Sequence, residues 1–167
     1  RVVAEIDDAP NLTDEEIIST AGRYLEEGAE IIDIGMVAER EMADEIPRLV
    51  SAIRDNFEVP ISIDTLNQAE IERALDCGID MVVSLCGSTI ENFEGLDVPA
   101  VVVPVDPEDG YYPDDNEEKL EYLGDLLGRA DELGYRKVVA DPIMEPVGRG
   151  FSESLDALYK FRKENPD

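Results

Sequence analysis

Five strand-like segments of this chain carry an aspartate at or near the C-terminal end. Asp7 follows Val2–Ile6, Asp33 lies in Glu30-Ile-Ile-Asp-Ile-Gly35, and Asp64 closes Pro60-Ile-Ser-Ile-Asp-Thr65. Asp106 follows Ala100–Val105, and Asp141 ends Lys137-Val-Val-Ala-Asp-Pro142. A carboxylate on an apolar, β-branched strand is costly unless a ligand or a hydrogen-bond donor meets it. Its repetition at strand ends points to one acidic floor shared by several strands, built to accept hydrogen bonds. In parallel α/β proteins, sites lie at that edge of the sheet.

The elements that would position these acids alternate, strand then helix. After the first strand, Thr13-Asp-Glu-Glu16 has the form of a capping box, and the spacing predicts a helix over 14–27 that stops at Gly28. Strands over 31–34, 61–63 and 79–85 are interleaved with helices over 42–56, with Pro47 near its first turn, and over 67–77. Residues 88–97 read as a short helix or loop. A strand over 100–105, a long loop over 107–116, a helix over 117–133, a strand over 138–140 and a helix over 152–164 complete the chain. Apolar strands alternating with amphipathic helices imply a parallel sheet covered on both faces. No linker or low-complexity tract interrupts the pattern, so residues 1–167 read as one domain. No Gly-x-Gly-x-x-Gly follows the first strand, which leaves a dinucleotide fold little support. Six such units fit an open doubly wound sheet or six of the eight units of a (β/α)8 TIM barrel. Acids on five strands favour the barrel, in which every strand reaches the site.

Composition narrows the function. The 167 residues hold 41 Asp plus Glu against 14 Lys plus Arg, a formal net charge of −27. That balance excludes nucleic-acid binding through a basic surface. The acids are spread through periodic segments rather than run together, which speaks for an acid-coated folded protein of a high-salt cytoplasm rather than a disordered tail. There is no histidine, so the chain offers neither a His-ligated zinc site nor a His-based triad. Cys77 and Cys86 form no Cys-x-x-Cys and lie by apolar runs, as packing residues do. With no leader-like or long apolar stretch, a cytoplasmic protein that does not enter a membrane is expected.

Taken in order, the segments resemble the pterin-binding barrels, above all dihydropteroate synthase. Gly28-Ala-Glu-Ile-Ile-Asp-Ile-Gly35 is similar to that family's second strand, and Met36-Val-Ala-Glu-Arg40 stands where the family has Gly-Glu-Ser-Thr-Arg. Ile61-Ser-Ile-Asp-Thr65 resembles its third-strand motif, Gly78-Ile-Asp-Met-Val-Val-Ser84 its fourth strand, and Ala140-Asp-Pro142 its sixth-strand Asp-Pro. There are departures. Ile6-Asp7-Asp8 occupies the place of a magnesium-holding Asn, the fourth-strand Asn falls at Val83 with Ser84 beside it, and the Lys after the Asp-Pro loop has no clear counterpart. The divergence is most like that of the archaeal dihydropteroate synthase-related proteins. The chain would then be the amino-terminal part of a longer barrel, its strand edges covered by a second copy or by the rest of that polypeptide.

The resemblance implies a transferase that joins a pterin methyl pyrophosphate to an arylamine in folate or methanopterin-type cofactor synthesis. One carboxylate can accept both the ring N–H and the adjacent amino group of a pterin. Asp64 and Asp141 are the candidates, with Asp33 supporting and with Ser84 and Glu39 also at the substrate. Asp64 could equally cap the helix starting near Asn67, Asp141 could form a turn before Pro142, and Asp33 could be a hydrogen-bonded core carboxylate. Leaving-group charge would fall to Arg40 and to Arg149, which stands between two glycines ahead of a helix. Arg149 reads equally as an exposed loop arginine. Asp7 would hold Mg2+ through oxygen. Tyr111 and Tyr112 would stack on an aromatic substrate or pack over the rim. Two other functions share the acidic pocket: methyl transfer from a methyl-pterin to a corrinoid protein, and a non-catalytic pterin-binding barrel.

Overall fold

A computed structural model describes residues 1–165. Their chain contacts fall into two compact units, Arg1–Ser84 and the part from Leu85 onward. Within each unit the strands follow chain order.

The first unit runs β1 (Val3–Ile6), α1 (Asp14–Glu26), β2 (Ile31–Gly35), α2 (Ile46–Arg54), β3 (Ile61–Asp64), α3 (Gln68–Asp76) and β4 (Met81–Leu85), which reaches the unit boundary. Neighbouring strands pair in parallel. The Thr13 box forms as the sequence implies: the Thr13 hydroxyl accepts from Glu16 N–H, and the Glu16 carboxylate accepts from Thr13 N–H at 2.9 Å. The second helix begins later than its periodicity implies. Residues Ala43–Glu45 tighten into a 3-10 turn, and Pro47 falls in the first turn of α2, where its missing N–H costs nothing.

Strand alternation divides the residues of this sheet between two faces. Ile6, Ile32, Ile34, Ile61, Ile63 and Val82 are all buried to within 2%, as are Ile17, Leu49, Ile53 and Ile71 of the helices. Each large aliphatic side chain buried this fully contributes about 1.5–3 kcal/mol. That face supplies the stability against which the opposite one can hold acids. On the opposite face, register aligns Glu5 with Asp33, and Asp33 with Ser62.

The second unit contains α4 (Gly87–Ile90), β5 (Ala100–Val102), α5 (Asn116–Glu132), β6 (Val138–Ala140) and α6 (Phe151–Glu164). β5 and β6 pair in parallel. β5 is shorter than the apolar run 100–105 because Pro104 has no N–H for the ladder, and Val105 N–H turns back to the Val103 carbonyl at 3.0 Å. Cys86, Val103 and Val105 form a buried cluster against which Ile143 packs. Cys86 is therefore a packing residue, as its apolar setting implies. Tyr135 donates to the Ile90 carbonyl at 2.6 Å. Buried Lys119 reaches from α5 to Glu145, past β6, at 2.5 Å. Tyr111 packs edge-on against Tyr122 with centroids 4.8 Å apart and donates to Glu118, the rim-packing arrangement.

Candidate functional site

Three carboxylates of the first unit converge. Ligand oxygens of Glu5, Asp33 and Asp64 all lie within 4.8 Å of one another. Register explains how three strands achieve this: Glu5 and Asp33 share one row, and Asp64, two residues past Ser62, stands on the same face one step nearer the strand ends. Asp33 is not at a strand tip but in the middle of β2, 4% exposed, where Ser62 Oγ donates to its Oδ1 at 2.6 Å. Burial pushes its pKa up to about 7; the Ser62 hydrogen bond opposes this, and the charges of Asp64 and Glu5 add to it. Glu5 is exposed and is raised by desolvation, then by Asp64 and Asp7. The Asp64 carboxylate accepts no hydrogen bond among the described residues. The helix-capping role goes to Asn67, whose Oδ1 accepts from Glu70 N–H. Beside the Ser62-bonded Asp33, the group thus presents the oxygens of exposed Glu5 and half-buried Asp64, suited to a donor-bearing ligand or a hard divalent cation.

Asp7 does not join this group. β1 ends at Ile6, and Asp7 lies in the turn that follows, before a 3-10 turn at Ala9–Asn11. Glu5 takes that place, and Gly35 makes room for it, since a Cβ there would collide with Glu5 Oε1. The strand period holds the signal for Glu5: with Ile6 inward to the apolar core, Glu5 must face the other way.

Backbone strain gathers at the same ends of the strands. Among the described residues, the left-handed non-glycine positions are Asp8 (φ 48°), Glu39 (φ 59°), Ser84 (φ 67°) and Ile143 (φ 58°). Each lies at or after a strand's C-terminal end, and each such conformation costs on the order of 1 kcal/mol or more. Ser84 breaks the alternation of β4, so that Val82 and Leu85, three apart, are both buried. Glu39 and Arg40 are exposed on the β2–α2 loop, and Arg40 faces no carboxylate within salt-bridge distance among the described residues.

That loop is held by a residue the sequence pattern conceals. Asn67-Gln-Ala-Glu70 reads as a capping box, yet the Glu70 carboxylate turns away from its own helix start. Glu70, 1% exposed, accepts from Met42 N–H at 2.7 Å and from the Thr65 hydroxyl. Asn67 N–H instead donates to Thr65 Oγ1 at 3.1 Å.

In the second unit, Asp141 stands just past β6, and its Oδ1 accepts from Ile143 N–H at 2.8 Å. This is the turn-forming role, and it leaves the other oxygen for a further partner. Arg149 is exposed between Gly148 and Gly150, both left-handed, directly before α6. It too meets no carboxylate among the described residues. Asp106 is engaged by structure: it bridges to Tyr111 through both backbone bonds and accepts from Tyr122, whose pKa is pushed up to about 12 by burial first and then by that carboxylate.

Comparison with known proteins matches these features. The chain fits the family described as "Pterin binding enzyme" over residues 5–163. It is 36% identical over 172 residues to "Uncharacterized protein MJ0107" of Methanocaldococcus jannaschii, covering 99% of this chain and 33% of that protein. It is 23% identical over 154 residues to the dihydropteroate synthase of Clostridium beijerinckii, covering 83% of this chain and 57% of that one. The chain thus spans about a third and somewhat over half of these two relatives. Among solved structures, Xanthomonas albilineans dihydropteroate synthase superposes with a TM-score of 0.77 at 21% identity, covering 98% of this chain and 67% of that one. The fold is that of the (β/α)8 barrels, with six βα units in this chain. The chain belongs to the pterin-binding enzyme family.

Proposed function

We propose that this chain is the ring-binding part of an enzyme that condenses a pterin methyl pyrophosphate with an arylamine. In the reaction, the amine nitrogen attacks the pterin methylene, the carbon–oxygen bond to pyrophosphate breaks, and the amine proton is lost. The observation that carries this reading is the Glu5–Asp33–Asp64 group. Asp64 has its acceptor oxygens uncommitted beside a buried, Ser62-bonded Asp33, the arrangement that a ring N–H with a neighbouring amino group would satisfy. The Xanthomonas structure holds 6-chloroguanine, a fused heterocycle with an amino group of that kind.

The amine needs little activation, so the protein's task is orientation and neutralisation of leaving-group charge. Arg40 suits that task because, among the described residues of this acid-rich chain, no carboxylate pairs with it. In the second unit, Asp141 with its remaining oxygen and Arg149 between its glycines are the candidates for the same two tasks. Magnesium belongs to the reading through Glu5, at the exposed edge of the acidic group, in the role that the resemblance implied for Asp7. The ion would offset pyrophosphate charge.

Calorimetry with a pterin in molar KCl tests the reading. Binding is expected, weakened about tenfold or more by Asp64→Asn, the loss expected when a charge-assisted pair is removed. A folded wild-type chain that gives no heat with any reduced or oxidised pterin sinks the proposal. Pyrophosphate that competes with a pterin methyl pyrophosphate separates condensation from methyl transfer, which needs no site for that anion.

A further inference from the structure

We propose that Glu70 is a positioning residue that holds the β2–α2 loop, and with it Arg40, in place. The proposal rests on the reading of Arg40 given above. The loop arches between two fixed feet, both on the neighbouring β3–α3 unit. At the near foot, Met36 N–H donates to the Asp64 carbonyl at 3.0 Å. At the far foot, Met42 N–H donates to Glu70 Oε1 at 2.7 Å. Between them the backbone makes a local turn, with Arg40 N–H donating to the Val37 carbonyl at 3.3 Å. Arg40 is therefore displayed on an exposed arch whose outer hydrogen-bonded anchor is the Glu70 side chain.

That side chain is built for the purpose. Glu70 is 1% exposed, and a carboxylate so buried stays only where donors meet it. Here one oxygen takes the Thr65 hydroxyl and the other takes an amide 28 residues away in sequence. A glutamate at this helix position ordinarily closes a capping box onto its own N-cap amide. Thr65 Oγ1 accepts that amide instead, which frees Glu70 for the loop. The Thr65 hydroxyl also joins the anchor to the residue directly after Asp64, so ring-facing acid and arched arginine share one support.

The test uses the whole chain in molar KCl. Glu70→Met keeps the volume and removes both acceptors. Glu70→Gln keeps an oxygen for Met42 N–H and can donate its amide to Thr65 Oγ1. Hydrogen exchange of residues 37–45 is expected to quicken about tenfold or more in Glu70→Met, with α1 unchanged and Glu70→Gln close to wild type. Exchange of the loop that is the same in all three chains overturns the proposal. Titration with inorganic pyrophosphate gives the functional arm: Glu70→Met is expected to bind about tenfold more weakly, and no further loss is expected when it is added to Arg40→Ala, because Glu70 acts through Arg40. Full additivity of the two losses overturns the link to Arg40. A wild-type chain that ignores pyrophosphate overturns the role given to Arg40 itself, while the exchange result still decides whether Glu70 holds the loop.

Discussion

At the scale of single residues, the acidic group is a balance between burial and hydrogen bonding, and Asp33 shows it most clearly. Its ordinary pKa of 3.8 rises to about 7 because burial outweighs the bond from Ser62. Below pH 3.8 the carboxyl is protonated in both folded and unfolded chains, so it adds no penalty there. Between that value and about 7, the folded chain keeps a proton that the unfolded chain has released, so stability falls as pH rises through this window. Asp33→Asn removes the titration and keeps an acceptor for Ser62. It is expected to be more stable than wild type above neutral pH, by about 4 kcal/mol at most, and to differ little near pH 4. Denaturant midpoints of the two chains compared across that range provide the check. A constant difference at every pH would mean that Asp33 is not held neutral by its burial.

At the scale of elements, each strand end is followed by a connection whose conformation is tied down by specific bonds. The Thr13–Glu16 box starts α1 with reciprocal hydrogen bonds, and α1 packs beside α2 and β1. Thr13→Ala removes an exposed cap without disturbing the core. It is expected to lower stability by about 1 kcal/mol, seen as a lower urea midpoint with an unchanged slope. A change in slope would mean that the helix start also shapes the denatured state. The same logic applies to the loops with chemistry. The β2–α2 loop is tied by Glu70, and the β6–α6 connection is tied by Lys119 to Glu145 and by Glu145 N–H to Ser154 Oγ at 3.1 Å. In both, a buried polar side chain from a helix fixes a stretch near an exposed arginine.

At the scale of the whole molecule, charge dominates. With 41 acidic and 14 basic residues, the ion pairs between side chains cannot neutralise the surface. Most are exposed pairs such as Arg23–Glu27 and Arg136–Asp97, whose attraction water and salt screen. Repulsion among the remaining acids opposes the compact state in dilute buffer, and molar salt, with a screening length of about 3 Å, removes it. Ellipticity at the helix minimum is therefore expected to grow with KCl toward molar concentration and to be largely lost in dilute buffer at neutral pH. A chain fully folded without salt would show that the apolar face of the sheet outweighs the repulsion. None of the described helices is long and apolar enough to cross a membrane.

Much of this was determined by the sequence alone. Strand and helix alternation, the Thr13 box, the family and the acidic face could all be read from it, because periodicity, turn chemistry and short ordered motifs are local properties. Asp64 and Asp33 were legible as candidates for the same reason, each an acid in an apolar run, and the structure brings their carboxylates together. Tertiary structure decided which acids meet. Cross-strand register, not position at a strand tip, brings Glu5 rather than Asp7 to Asp33 and Asp64. It also decided that Asp106 and one oxygen of Asp141 serve turns, and that Glu70, which reads locally as a helix cap, anchors a loop 28 residues away. The physical reason is common to all of these. A side chain's composition and spacing say that it needs a partner, but which partner it finds depends on distances across strands and loops that no local pattern encodes.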